Sequence, residues 1–288
     1  MRVLVIGGSG MLGRDLLDEL RAAGHEVVSP SSHELDITDP ESVAQISSMD
    51  RFDWCINCAA YTAVDQAESD EAAAYALNAL GPGYLARMCA MRGIPLLHVS
   101  TDFVFDGGKV EDYTEEDQPN PLGVYGKSKL AGEEAVLQSS PMSIVARTSW
   151  LFGPHGKSFP RTMIQAWKAG KHLKVVADQT GKPTYTPDLA KVLVQMCAQR
   201  AFPGIYHVTG PEKLSWFEFA KDAITVYKEF VGETNPVEVE PIQTSDWPTP
   251  AKRPANSSLS NEKLIAAGIE PLPPFKQALA DFVRRLEF

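Results

Sequence analysis

Long apolar runs are missing from this chain, and with them any membrane-spanning helix, which needs about 20 consecutive apolar residues. A charged leader followed by a cleavage site is also missing, because the first residues form a short strand. A soluble, cytoplasmic protein is expected. Cysteine is scarce, four in 288 residues, too few for a disulfide scaffold at this length. Cys55 and Cys58 have redox-pair spacing but sit in and just after an apolar strand, not at a helix start, so they read as small buried residues; no second pair offers zinc spacing. Basic residues are outnumbered, 27 against 37 acidic, for a net charge of -10. A nucleic-acid partner is therefore not expected, since phosphate backbones need a basic face. The Gly-x-Ser-x-Gly elbow of a hydrolase is absent because Met11 stands where its closing glycine would be. Internal repeats and low-complexity tracts are absent too.

What is present is an alternation of short apolar strands and amphipathic helices, with 44% hydrophobic residues, ample for a core at this length. The fold class expected is α/β: a Rossmann-like, doubly wound parallel sheet carrying a smaller α/β substrate-binding lobe. Residues 1–153 would form the dinucleotide-binding unit, residues 154–288 mainly the second lobe, with a segment near 173–208 returning to the first. The first strand runs into Gly7-Gly8-Ser9-Gly10-Met11-Leu12-Gly13 and then into a helical pattern at Leu12, Leu16, Leu17 and Leu20. Glycine suits that turn for its dihedrals, for close approach to a pyrophosphate, and for tight helix–strand packing. The run satisfies both Gly-x-x-Gly-x-x-Gly and Gly-x-Gly-x-x-Gly, so spacing alone leaves the subfamily open.

A second stretch is organised around chemistry. Residues 94–99 read as a buried parallel strand ending in Ser100-Thr101, which puts two hydroxyls at the carboxyl edge of a sheet, where ligands bind. After a polar excursion over residues 106–124 comes Tyr125-Gly126-Lys127-Ser128-Lys129. The four-residue spacing stacks Tyr125 and Lys129 on one helix face. A neighbouring cation favours a phenolate, which turns a phenol into a usable proton donor near neutral pH. Thr101, Tyr125 and Lys129 are the candidate catalytic residues.

Taken together, these motifs resemble the extended short-chain dehydrogenases/reductases, and within them the dTDP-4-dehydrorhamnose reductase family. Other segments carry the resemblance across nearly the whole chain: residues 57–68, Ser100 to Phe105, Arg147-Thr148-Ser149-Trp150, Asp178-Gln179-Thr180-Gly181 and Thr249-Pro250-Ala251-Lys252-Arg253-Pro254. It implies reduction by NAD(P)H of the C4 ketone of dTDP-4-dehydro-β-L-rhamnose, a nucleotide sugar, to dTDP-β-L-rhamnose. It also implies cofactor contacts from Gly7, Gly10, Met11, Leu12, Gly13, Asp36, Ile37, Cys58, Ala59, Ala60, Val99, Tyr125 and Lys129. Substrate contacts are implied for Thr101, Asp102, Trp150 and Arg253. Arg161, Lys182, Lys252 and Arg253 are the cations expected to meet the substrate pyrophosphate. No metal ligands are assigned, although Mg2+ serves some relatives and is allowed for here.

The second strand ends in Ser29-Pro30-Ser31-Ser32-His33, with no acid before Glu34. Small hydroxyl residues leave room for a 2′-phosphate, so NADP(H) is preferred, and the lack of an arginine leaves NAD(H) tolerated. Asp39, directly before Pro40, fits a helix cap. The helical segment 70–91 fits either a core helix or one side of a homodimer's four-helix bundle. Phe103 stands where nucleotide-sugar dehydratases carry an acid, which counts against dehydration. Another nucleotide-ketosugar reductase, a 4-epimerase, or a non-catalytic subunit like those of methionine adenosyltransferase shares the fold and stays open.

Overall fold

The computed structural model describes residues 1–49 and 51–286; residues 287–288, the end of the anticipated second lobe, lie outside the described residues. Six strands form the main sheet: β1 (Arg2–Ile6), β2 (Glu26–Val28), β3 (Trp54–Asn57), β4 (Leu96–Thr101), β5 (Ile144–Thr148) and β6 (Gly204–His207). All pair in parallel, in the order β6-β5-β4-β3-β1-β2. The chain steps from β1 to β2 on one side and then crosses to β3 on the other, so the strand order reverses at β1. A crevice opens there outside the carboxyl ends, where ligands of such sheets bind.

The strands are apolar throughout because both faces are covered. Val3 and Val5 point into one core and Leu4 and Ile6 into the other, as the two-residue period of a strand requires. Helix α1 (Met11–Ala22) buries Leu12, Leu16 and Leu20 in the first of these cores. On the opposite face lie α2 (Gly81–Arg92) and α3 (Val124–Ser139).

The segment read as one helix over residues 70–91 is a helix with a π turn at Ala76–Leu80, between Glu71–Tyr75 and α2. Pro82 accounts for it: a proline has no N–H for the carbonyl four residues back and its ring collides with that carbonyl. The carbonyl in question belongs to Asn78. It is pressed against α3 so closely that a Cβ on Gly132 would stand 2.0 Å from its oxygen.

Helix α4 (Phe159–Lys168), α6 (Trp216–Val231) and α7 (Phe275–Arg284) gather a third core, rich in aromatics, around Phe152, Tyr185, Phe219 and Phe282. Between α4 and α6, helix α5 (Thr186–Ala198) and β6 do return to the main sheet, α5 packing beside α1 in the first core. The start of the expected returning segment does not. Leu173–Val176 pairs with Val239–Ile242 in a separate two-stranded sheet. Its burial alternates, with Lys174 exposed, so only one of its faces is covered, whereas a central strand of the main sheet is covered on two.

Beneath the carboxyl edge of the main sheet lies a buried ion pair. Glu133 of α3 takes a forked contact from Arg147 of β5, at 3.0 and 3.1 Å from Nε and 2.7 Å from Nη2. The Ser100 hydroxyl donates to the same carboxylate at 2.5 Å, and the guanidinium lies over the Phe105 ring. Both charged side chains are almost fully buried. Removing one partner of such a pair strands the other in a medium that solvates it poorly, at a cost of roughly 3–5 kcal/mol. Glu133→Gln should lower the unfolding free energy in urea by about that amount. The double replacement Glu133→Leu/Arg147→Met, which removes both charges, should recover most of it.

Candidate active site

The site grows out of the turn after β1. Gly7 has φ +80°, a value L side chains rarely adopt. A Cβ there would meet the Ala59 backbone at 2.6 Å, and one on Gly13 would stand 2.1 Å from the Gly7 carbonyl oxygen. The backbone fold-over therefore needs glycine at both positions. Helix α1 starts at Gly10 without a side-chain cap, which leaves its first N–H groups and the positive end of its dipole facing the crevice. Gly7, Gly10, Met11, Leu12 and Gly13 all line a cleft of about 1530 Å3 that runs along the carboxyl edge of the sheet.

The same cleft is lined by Asp36, Ile37, Cys58, Ala59, Ala60, Val99, Thr101, Asp102, Tyr125, Lys129, Trp150 and Arg253. The residues expected to be catalytic and those implied as cofactor contacts are thus brought to one cavity, as are Asp102, Trp150 and Arg253. At the β2 end its wall is Ser29, Ser31, Ser32 and Glu34, joined by Arg21 from α1. Glu34 accepts from the Ser31 amide and hydroxyl, both at 2.8 Å, and these bonds hold its carboxyl below the usual range. Asp36 is engaged locally by the Thr38 amide and hydroxyl. The Asp39 side chain caps the helix Pro40–Ala44 through the Glu41 amide at 2.9 Å.

At the far end of β4 the catalytic candidates meet. The Thr101 hydroxyl, which lines the cleft together with the Tyr125 phenol, donates to Asp102 Oδ1 at 3.0 Å and accepts from the Phe103 amide at 3.2 Å. The approach of α3 is close: a Cβ on Gly126 would lie 2.2 Å from the Phe103 carbonyl oxygen. The Phe103 ring stands edge-on to Tyr125, 5.6 Å between centroids.

The electrostatics differ from the simple expectation that Lys129 holds the phenol down. Burial dominates and pushes Tyr125 up to about 12, the Thr101 hydrogen bond opposing and the Asp102 charge adding to it. Burial also lowers Lys129 to about 8, against the pull of Glu133. The Lys129 ammonium donates to the Val99 carbonyl at 2.7 Å and lies 3.4 Å from His98 Nε2. Tyr125 is half-buried in the cleft wall and Lys129 is buried beneath it, and the loss of solvation disfavours phenolate and ammonium alike.

The opposite wall comes from the second lobe, and sequence reading found only part of it. Trp150, at φ +48°, stacks on Trp216 at 3.6 Å between centroids, and its ring fills the space a Cβ on Gly181 would need. Phe159, Met163 and Phe219 complete the wall, and Trp247 and Ser257 also line the cleft. Trp216 was discoverable only as the first helical residue after the capping box Ser215-x-x-Glu218.

Of the four cations expected to face a pyrophosphate, only Arg253 lines the cleft; it donates to Asp65 at 2.8 Å and lies over Phe103. Lys182 is buried against Asp112 at 2.6 Å. Arg161 donates to the Pro154 carbonyl in a separate cleft beside α1, and Lys252 is exposed outside the cavity. No cluster of three or more His, Cys, Asp or Glu side chains able to hold a metal is found among the described residues. Nor is any helix among them long and apolar enough to cross a membrane.

A glycine cradle at the switch point of a doubly wound sheet, with a Thr-Tyr-Lys constellation at its carboxyl edge, defines an extended short-chain dehydrogenase/reductase. The chain belongs to the RmlD substrate binding domain family, whose model matches residues 1–288. It is 45% identical to a dTDP-4-dehydrorhamnose reductase of Aggregatibacter actinomycetemcomitans over 94% of each chain. Among solved structures it is similar to a dTDP-4-dehydrorhamnose reductase of Clostridium acetobutylicum, with TM-score 0.93, 36% identity and 99% of both chains covered. The reductase from Bacillus anthracis, in complex with NADP, gives TM-score 0.92 at 35% identity, also over 99% of both.

Asp102 yields a pH prediction. Its carboxyl is buried and one oxygen, Oδ2, has no hydrogen-bond partner in the protein. Burial pushes it up from 3.8 to about 6, against hydrogen bonds from Ser257 and Thr101. Between those values the folded state binds more protons than the unfolded state, so stability falls as pH rises, by up to about 3 kcal/mol for a two-unit shift. Asp102→Asn should therefore be more stable than the parent at pH 7, by up to about 3 kcal/mol, and show no such gain near pH 3.5. Urea denaturation at both pH values measures it.

Proposed function

We propose that this protein reduces the C4 ketone of dTDP-4-dehydro-β-L-rhamnose to dTDP-β-L-rhamnose, with NADP(H) preferred and NAD(H) tolerated as the cofactor. The supporting observation is that Thr101, Tyr125 and Lys129 line one cleft together with the glycine cradle and the aromatic wall. Gly7 and Gly13, kept free of side chains, and the uncapped start of α1 fit a pyrophosphate. Arg21 is a cation on the wall beside Ser29 and Ser31, suited to a 2′-phosphate. When bound, the reduced nicotinamide supplies the hydride.

The chain's own part is positioning and proton transfer. Tyr125, kept protonated by its buried setting, donates to the oxygen of the reduced carbonyl. Thr101 hydrogen-bonds the same oxygen and stabilises charge as it develops. Lys129 faces the cofactor side of the cleft, Asp102 orients a sugar hydroxyl, and Trp150 with Trp216 gives the deoxysugar or base a flat apolar wall. Arg253 is the cation for the substrate's diphosphate. Phe103 beside Tyr125 leaves Asp102 as the only carboxylate of the Thr101-Asp102-Phe103 turn, which suits reduction and not the expulsion of water. The cytoplasm, where nucleotide sugars are built, is the proposed place of work.

NADPH absorbance followed on adding dTDP-4-dehydro-6-deoxy-glucose, with and without a 3,5-epimerase, tests this reading. Oxidation that depends on the epimerase is expected. Oxidation without it would point to another ketosugar reductase, and none in either case to a non-catalytic subunit. Tyr125→Phe should cut kcat by roughly 10²–10⁴, the usual contribution of a positioned acid, with little change in KM.

A further inference from the structure

Behind Lys129 runs a chain of buried polar groups that the reduction, as described, does not use. The Ala59 amide donates to Asn57 Oδ1 at 3.0 Å. Asn57 Oδ1 is therefore the acceptor end of that side chain, and its Nδ2 must be the atom 3.1 Å from His98 Nδ1. A carboxamide nitrogen has only hydrogens to offer, so His98 Nδ1 must accept. A neutral imidazole carries one N–H, which then sits on Nε2. That N–H faces Lys129 Nζ at 3.4 Å. Asn57 and His98 are fully buried, and no water can rearrange the pattern cheaply.

An ammonium has three donors and no acceptor, so it gains nothing from a facing N–H; an amine has a lone pair and does. We propose that His98 is a positioning residue for the reduction, fixed by Asn57 in the Nε2–H tautomer so that its ring N–H stabilises the uncharged amine of Lys129. This rests on the reading of Lys129 as the lysine beside the cofactor. The remaining groups around Lys129 are Cys58 after β3, and Tyr125 and Glu133 one turn away on either side along α3. The Glu133 charge is already matched by Arg147. Burial and the nearby lysine also keep His98 far below the usual imidazole range, in keeping with a neutral ring.

The arrangement bears on turnover through the charge on Lys129: an ammonium beside Tyr125 favours the phenolate and an amine favours the protonated phenol, so the donor that His98 presents to the Lys129 lone pair also sets how readily Tyr125 parts with its proton.

Nitrogen-15 NMR of the unliganded protein tests the proposal without substrate or cofactor, so its failure is separable from a failure of ketosugar reduction. His98 is expected with Nε2 protonated and Nδ1 bare throughout pH 6–9. In a titration of labelled lysine, Lys129 in His98→Leu should shift upward by about one unit or more. His98→Gln, which offers an acceptor to Asn57 and a donor to Lys129, should return it to the parent value. An Nδ1–H tautomer, an imidazolium, or an unchanged Lys129 midpoint in His98→Leu would each overturn the assignment. Should His98→Leu fail to fold, the tautomer and the glutamine variant decide it.

Discussion

The ion pair between Glu133 and Arg147 is the constraint on which the catalytic geometry depends. Tyr125, Lys129 and Glu133 follow one another at four-residue intervals and so form a single stripe on α3. The last of the three is clamped by a forked guanidinium from β5 and by a hydroxyl from β4. A bidentate contact of that kind fixes direction as well as distance, so the helix is locked in rotation about its own axis. The phenol and the ammonium then have no freedom to turn away from the crevice. Arg147 is in turn wedged by the Phe105 ring and by His207 on β6, whose Nδ1 donates to the Tyr113 carbonyl. The clamp therefore reaches across three adjacent strands and the loop that covers them.

Glycine supplies what the ion pair alone does not. Gly126 lets α3 touch the Phe103 carbonyl, and Gly132 lets it touch the Asn78 carbonyl that Pro82 has released from its own helix. Neither approach is open to a residue with a Cβ. Contact at two points and a salt bridge at a third leave α3 with one seat against the sheet. This is why a helix with little amphipathic character of its own holds its place: its inward face is Gly126, Lys129, Gly132 and Glu133 as much as it is apolar. Packing here is shape and charge matched together, not an oily stripe.

That mixture explains what could be read in the sequence. The glycine turn, β1 and α1 are legible because each obeys a local rule: a two-residue apolar period, a required positive φ, a 3.6-residue leucine repeat. The Tyr125–Lys129 spacing is legible for the same reason, as is the cap at Asp39. The second lobe is not, because its contacts join residues far apart in the chain. Trp150 meets Trp216 across the aromatic core, and Leu173–Val176 finds its partner at Val239–Ile242 instead of in the main sheet. Lys182 and Arg161 read as pyrophosphate cations because charge in a sequence carries no address; Asp112 and the Pro154 carbonyl supply one only after folding. The direction of the Tyr125 shift was hidden likewise, since it depends on how much water the folded site excludes.

Excluding that water has two effects that pull against each other. A dry pocket makes every hydrogen bond to a developing alkoxide stronger, yet it also makes the resting phenolate and ammonium harder to form. In the unliganded protein the second effect is plain: Tyr125 is held up, Lys129 is held down, and the buried Asp102 carboxyl is held up as well. All three shifts run towards the neutral form, and at pH 7 Tyr125 is held as the phenol.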